Sequence, residues 1–165
     1  MNDLTHFSAD GRARMVDVSE KAATRREATA SGVIRMSPAT LERIRAGTLA
    51  KGDVLAVADV AAVMAAKRTP ETIPMCHALP LSGVEVGFDE IGEIDDGKAA
   101  LRVTVKTLCT APTGVEMEAL CAVSAALLTI YDMCKAIDRG MRIENIQLEE
   151  KRGGRRGTWL RGAET

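Results

Sequence analysis

Apolar and polar positions follow two periods along this chain. Val84, Val86 and Phe88 alternate with Glu85, Gly87 and Asp89, and Leu101, Val103 and Val105 alternate with Arg102, Thr104 and Lys106. A period of two is the mark of a half-buried strand. Asp95-Asp96-Gly97 between the two runs is hairpin-turn chemistry. Helical spacing governs Leu55 to Met64 and, more strongly, the stretch TGVEMEALCAVSAALLTIYDMCK from Thr113 to Lys135. Start and stop signals frame these runs. Ser37-Pro38 opens a short helix with Gly47 past its end, and Asp53 can cap the helix that follows. Thr69-Pro70 should end that second helix, because a residue before proline is pushed out of helical geometry. Thr113-x-x-Glu116 reads as a capping box opening the long helix, which is expected to stop near Gly140.

Two more strands complete the pattern, one within Arg25–Met36 around Val33-Ile34, and one from Ile143 to Leu148 leading into a basic, Gly-rich tail. The order is β-α-β-β-α-β with the short Ser37–Gly47 helix as an extra. That order predicts an α+β, ferredoxin-like domain, an antiparallel sheet with helices on one face. One domain spans residues 13–158, with flexible segments expected at 1–12 and 159–165. The sheet's other face would need a partner, and the long helix is apolar on most of its circumference. Both features predict an oligomer.

Composition narrows the function. A length of 165 residues suits one domain with a proper core. Phe7, Phe88, Tyr131 and Trp159 are the only aromatic residues, so the core is aliphatic and stacking platforms for single-stranded nucleic acid are nearly absent. A net charge of −1 provides no global field for nucleic acid or acidic membranes. The four cysteines form no CxxC and there are only two histidines, which argues against a zinc or iron–sulfur site. The amino terminus lacks the apolar region of a signal peptide. The apolar run within Ala119–Tyr131 falls short of the ~20 residues a bilayer requires. A cytoplasmic protein with reduced thiols is expected.

Candidate chemistry sits at a few positions. Asp132 and Lys135 lie three apart on the long helix and therefore share a face. A charged pair on an element built for burial costs several kcal/mol, roughly, unless compensated. Burial together with pairing could then move either group's pKa into a useful range. His77 lies between Pro74 and Pro80, in a loop of few conformations, and suits proton transfer near neutral pH. A structural histidine holding a loop carbonyl is the alternative. Lys51 precedes a helix amino terminus and could help cradle a phosphate. Glu116 is accounted for by capping, whereas Glu118 is not and is the better ligand candidate.

Seven segments of this sequence resemble the cyclic pyranopterin monophosphate synthases, the MoaC family of molybdenum-cofactor biosynthesis. They are RMVDVSEK (14–21), KGDV (51–54), AAKRT (65–69), IPMCHALPL (73–81), TGVEMEAL (113–120), LTIYDMCKA (128–136) and K-x-GG (151–154). The resemblance implies a lyase. Its substrate would be the cyclised dihydroguanosine triphosphate that a radical-SAM partner enzyme makes from GTP, and its products cyclic pyranopterin monophosphate and diphosphate. It also implies a ferredoxin-like fold assembled as a hexamer of dimers, with sites at subunit interfaces. By position, Asp132 matches the acid/base, and Lys135 and Lys51 match catalytic lysines. Met75, Cys76 and His77 match a substrate-binding loop, with His77 also serving in proton transfer. Met117 and Glu118 match a second binding segment. Asp17, Arg26, Lys67 and Lys151 fall where they would complete the pocket. No cofactor is implied, though a triphosphate can carry Mg²⁺ in with it. The chain departs from the family pattern at Met75, Ala78, Pro112, Ala62 and the tail GGRRG, none of them a catalytic position. A reading from another class, a non-catalytic ferredoxin-like oligomer that binds phosphorylated nucleotides, predicts anion binding without product.

Overall fold

A computed structural model describes residues 12, 14–94, 97–155 and 157–163. In chain order the elements are β1 (Thr24–Met36), α1 (Pro38–Arg45), α2 (Val54–Lys67), α3 (Thr69–Thr72), β2 (Leu81–Ile94), β3 (Lys98–Ala111), α4 (Glu116–Cys134), β4 (Arg142–Arg152) and β5 (Trp159–Leu160). The strands form one antiparallel sheet in the order β2-β3-β1-β4-β5. Its first four strands have the ferredoxin-like order that the sequence pattern predicts.

Alternation along β1 separates the two faces of the sheet. Ala28, Ala30, Ile34 and Met36 are buried under the helices. Gly32 lies among them, and a Cβ there would come within 2.6 Å of Leu127 and 2.9 Å of Val123. The missing side chain lets α4 lie close on the central strand. The alternate residues of β1 face away. Glu27 pairs with Lys106 at 3.3 Å and Arg25 at 2.8 Å, and Arg35 pairs with Glu144 at 3.2 Å. Ser31 donates to Glu149, which also accepts from Gln147 at 2.9 Å. Cross-strand ion pairs and hydrogen bonds give this face a polar character. The most exposed large apolar side chains lie on the helices, with Val60 of α2 62% exposed and Leu128 of α4 60% exposed.

Ser37 caps α1 with Pro38 in its first turn, and Asp53 caps α2 through the N–H groups of Leu55 and Ala56, both as expected. The proposed capping box at Thr113 does not form. α4 begins at Glu116 after Val115, with no side-chain cap, because the Glu116 carboxylate turns to Lys151 instead, at 2.8 Å. α4 also ends at Cys134, before Gly140. There Asp138 folds onto the start of α1, accepting from Ser37 N–H at 2.7 Å and Thr40 Oγ1 at 3.2 Å. Thr69-Pro70 follows the end of α2 but opens the single turn of α3, since proline is tolerated in a first helical turn.

β1 and β4 are longer than the hydrophobic runs suggest, because they pair along Glu27–Arg35 and Arg142–Arg152. Asn145, at φ 54°, marks the irregular register between them. Trp159 and Leu160, expected in a flexible tail, pair with Lys151 and Glu150 as β5. Arg161 stacks on the Trp159 ring at 5.7 Å. The segment 1–12, apart from Arg12, and the turn residues Asp95 and Asp96 lie outside the described residues.

By length and composition α4 could cross a membrane, contrary to the argument from run length. Ala119, Ala122, Val123, Ala126, Leu127 and Ile130 are fully buried. α4 packs on β1, β3, β4 and α2, so its burial makes it the core helix of the domain.

Candidate active site

α2 and α4 pack together, and small residues let them do so: Ala58, Ala62 and Ala66 are buried on α2. Sheet topology makes the two helices antiparallel, so the start of α2 lies beside the end of α4. Asp53 accepts from Leu55 N–H and Ala56 N–H, each at 3.0 Å, and this cap fixes the turn carrying Lys51. The Lys51 ammonium donates to the Asp132 backbone carbonyl at 2.8 Å and to its Oδ2 at 3.0 Å. Lys135, directly after α4, reaches Asp132 Oδ1 at 2.6 Å. Two cations thus converge on one carboxylate.

The trio does not carry the desolvation cost expected of it. Asp132 and Lys135 are 57% and 53% exposed. The hydrogen bonds from Lys135 and then Lys51 hold the Asp132 carboxyl below its ordinary range, and the bond to Asp132 holds the Lys135 ammonium above its own. Pairing rather than burial sets both directions, and it strengthens ionisation of both groups.

The start of α4 is chemically different. A cavity of about 330 Å³ lies there, large enough for a small ligand. It is lined by Met75, Cys76, His77 and Leu79 from the proline-bracketed loop, by Thr113, Gly114, Glu116, Met117 and Glu118, and by Val16, Val18 and Lys21. His77 Nε2 lies 2.9 Å from the carbonyl of Val16. A carbonyl only accepts, so Nε2 carries the proton and Nδ1 is the nitrogen left to act as a base. His77 therefore holds a loop carbonyl, the structural alternative, and also faces the cavity. Glu118 is only 3% exposed. Burial raises its pKa, and burial followed by the Glu118 charge raises the Cys76 thiol.

Five expected residues, Met75, Cys76, His77, Met117 and Glu118, thus share one cavity. Lys151 borders it through its 2.8 Å pair with Glu116. Lys67 is exposed at the far end of α2, toward the start of α4. Arg26 is turned to backbone carbonyls, donating through Nε to Ala111 and through Nη2 to Pro112, each at 3.2 Å. Asp17 lies beside the cavity-lining Val16 and Val18 but accepts from Ser19 N–H at 2.9 Å and Ser19 Oγ at 2.5 Å. Those bonds hold its carboxyl below the ordinary range. Lys51, Asp132 and Lys135 are absent from the cavity. From Met117 to Asp132 the helix rises ~22 Å at about 1.5 Å per residue.

Lys21 and Glu116 were not singled out for the cavity, although Lys21 closes the RMVDVSEK segment and Glu116 had been assigned to capping. Thr107 was missed as well. Its buried hydroxyl lies 3.0 Å from the Val115 carbonyl and 3.4 Å from that of Ala28, and alternation alone showed it only as a strand position. Among the described residues, no group of three or more His, Cys, Asp or Glu side chains could hold a metal ion.

Comparison with known proteins finds relatives along nearly the whole chain. A family model described as the MoaC family matches residues 15–154. A protein from Listeria monocytogenes strain EGD-e, named cyclic pyranopterin monophosphate synthase, is 56% identical over 158 residues, covering 96% of this chain and 96% of that protein. Proteins of the same name from Limosilactobacillus fermentum and Chloroflexus aurantiacus are each 57% identical. The first match covers 93% of this chain and 90% of its relative, and the second 97% and 96%.

Proposed function

The chain belongs to the MoaC family, and from that premise we propose its reaction and the division of labour within its site. It is a lyase of molybdenum-cofactor biosynthesis. It converts (8S)-3',8-cyclo-7,8-dihydroguanosine 5'-triphosphate to cyclic pyranopterin monophosphate and releases diphosphate. The observation that carries this is the convergence of Lys51 and Lys135 on Asp132, three matched residues that two separate segments contribute.

The trio is the reacting centre. Rebuilding a purine-derived ring requires proton transfers, and a carboxylate between two ammonium groups can relay them. An incoming phosphate competes with Asp132 for the lysines. As Lys51 turns to the phosphate, the Asp132 carboxylate loses a stabilising partner and gains proton affinity. Closing the cyclic phosphate requires a hydroxyl of the substrate to attack the α-phosphorus in line as diphosphate departs. Lys51, Lys67 and Lys151 neutralise the charge that develops. Mg²⁺, where it takes part, arrives with the triphosphate. No resident cofactor enters this scheme.

The cavity at the start of α4 binds and orients. Glu118 accepts from N–H groups of the ring system, and Met75 and Met117 offer polarisable apolar contact. His77 Nδ1 faces the ring as a second proton acceptor. Asp17 shapes the turn beside Val16, whose carbonyl His77 holds, by accepting from Ser19.

A ~22 Å separation along one helix is too long for one small nucleotide to bridge. We place the complete site at a subunit interface, where the start of α4 from one protomer meets the end of α4 from another. The exposed apolar side chains of α2 and α4, Val57, Val60, Met64 and Leu128, supply surface for such contacts in a dimer-based hexamer. The protein acts in the cytoplasm, downstream of the radical-SAM enzyme that makes its substrate.

Incubating the purified protein with the cyclic triphosphate tests this reading. Diphosphate release together with pterin fluorescence after oxidation is expected. Tight binding of the triphosphate without either product would favour the nucleotide-binding oligomer instead.

A further inference from the structure

Arg26 does not spend its guanidinium where an anion-binding residue would. It is half-buried, and its Nε and Nη2 donate to the carbonyls of Ala111 and Pro112, both at 3.2 Å. Those carbonyls lie at the last residue of β3 and the first of the turn into α4, and this turn carries Thr113 and Gly114 to the cavity and leads into Met117 and Glu118 of α4. A second tether acts on the same turn from inside the sheet: the buried Thr107 hydroxyl donates to the Val115 carbonyl at 3.0 Å. Pro112 restricts the turn further, because its ring fixes φ.

The K-x-GG segment accommodates the first tether. Gly154 has φ +76°, and a Cβ there would overlap the Arg26 guanidinium; Gly153 has φ +94°, and its Cβ would overlap the Arg25 carbonyl oxygen. Glycines at these two positions let β4 run out directly over Arg26. A two-pronged donor is needed to hold two successive carbonyls, and a lysine presents only a point charge on a flexible stem.

We propose that Arg26 is a positioning residue, a clamp on the β3–α4 turn that Gly154 makes room for and Thr107 seconds, setting the geometry of Met117 and Glu118 instead of contacting the substrate's phosphates. The proposal rests on the assignment of the cavity as the substrate-binding half of the site. It makes Gly154 a determinant of affinity although glycine has no functional group to offer.

The test compares Arg26→Lys, Arg26→Ala, Gly154→Ala and Thr107→Val in the full-length protein, with three readouts. Hydrogen exchange of the amides from residue 113 to 118, without substrate, should speed up in all four variants. KM for the cyclic triphosphate should rise about 10- to 100-fold with a smaller change in kcat, the size expected when binding groups are misplaced by around an ångström. Affinity for inorganic tripolyphosphate should stay within about threefold of wild type. The Arg26→Ala/Gly154→Ala double variant should be no worse in KM than Arg26→Ala, since the overlap is gone. Arg26→Lys with wild-type exchange and KM, or Arg26→Ala with lost tripolyphosphate affinity, would overturn the clamp in favour of a phosphate contact. If one variant does not fold, the remaining three carry the same comparison. Wild-type protein that forms no product would sink the functional assignment, while the exchange measurement would still decide whether Arg26 holds the turn.

Discussion

The two ends of α4 present two chemically different candidate sites on one helix. At its end, Asp132 and Lys135 are more than half exposed, and Lys51 completes a charged trio in which pairing reinforces ionisation. At its start, Glu118 is buried, and the shift of its pKa opposes ionisation. The same functional group, a carboxyl, is therefore a firm anion at one end and a reluctant one at the other. Exposure decides between them. An exposed carboxylate among mobile cations can exchange partners as substrate arrives, whereas a buried one at a cavity wall presents fixed geometry. The first arrangement suits proton relay and charge neutralisation, the second recognition.

Substitutions at the two ends should separate in kinetics. The largest effect is expected from Asp132→Asn, Lys51→Ala and Lys135→Ala. Each should lower kcat by about 10²- to 10⁴-fold, the range of a lost acid–base group. Circular dichroism and assembly should remain those of wild type, because the trio is exposed. A drop confined to KM would contradict the relay role. Glu118→Ala should instead raise KM by about 10- to 100-fold, as expected for lost hydrogen bonds to a charged acceptor. If the two ends had equivalent roles, the two sets of variants would give the same kinetic pattern.

Gly32 tests the packing that both ends depend on. Gly32→Val forces side-chain atoms into Leu127 and Val123 and should destabilise the fold by about 1–3 kcal/mol, by analogy with overpacked cores. Denaturant midpoints measure it, and an unchanged midpoint would show that α4 is not seated closely on β1.

The pH dependence of stability provides the smallest and most specific contrast. Glu118 has a folded-state pKa above its unfolded value. Its favourable contribution is therefore complete below the ordinary carboxylate range and is lost as pH rises through the folded value. Asp132 is shifted the other way, so its contribution is present above the ordinary range and lost as pH falls through the folded value. Relative to wild type, Glu118→Gln should gain stability with rising pH, and Asp132→Asn should lose it. High salt should erase the Asp132 difference, because exposed pairs are screened. Melting curves from pH 3 to 8 would show the opposite slopes, and parallel slopes would remove the contrast between the ends.

Much of the fold was legible from local signals. Alternation at Val84–Phe88 and Leu101–Val105 marks β2 and β3, and Ser37 and Asp53 cap the helices they were expected to cap. Local chemistry misleads where long-range contacts compete. Thr113-x-x-Glu116 has the spacing of a capping box, but Lys151 lies far along the chain and takes the Glu116 carboxylate. Asp138 stops α4 early because Ser37 and Thr40 offer it donors across the domain. The pairing of Glu27 with Lys106 and of Arg35 with Glu144 across the sheet is likewise invisible to periodicity.

The site was legible as residues and only in part as geometry. Lys51 and Asp132 lie far apart in sequence, and their contact follows from antiparallel packing of α2 on α4. The exposure of Asp132 and Lys135 was not legible, because an apolar helix implies burial, whereas Asp132 lies on the open side of a last turn whose Ile130, Met133 and Cys134 are buried. Arg26 falls, by the resemblance, where it would complete the pocket, and its bonds to the Ala111 and Pro112 carbonyls are not legible from the sequence.

The central claim is that the complete site joins the start of one α4 to the end of another. Mixing Asp132→Ala with Glu118→Ala after dissociation and reassembly, assayed at a substrate concentration too low for either variant alone to turn over, tests it directly. If each site draws on two protomers, random pairing should restore about a quarter of wild-type activity, through sites that receive both intact halves. Activity no greater than that of the separate variants, in mixtures shown to have exchanged subunits, would mean that each chain holds its own complete site.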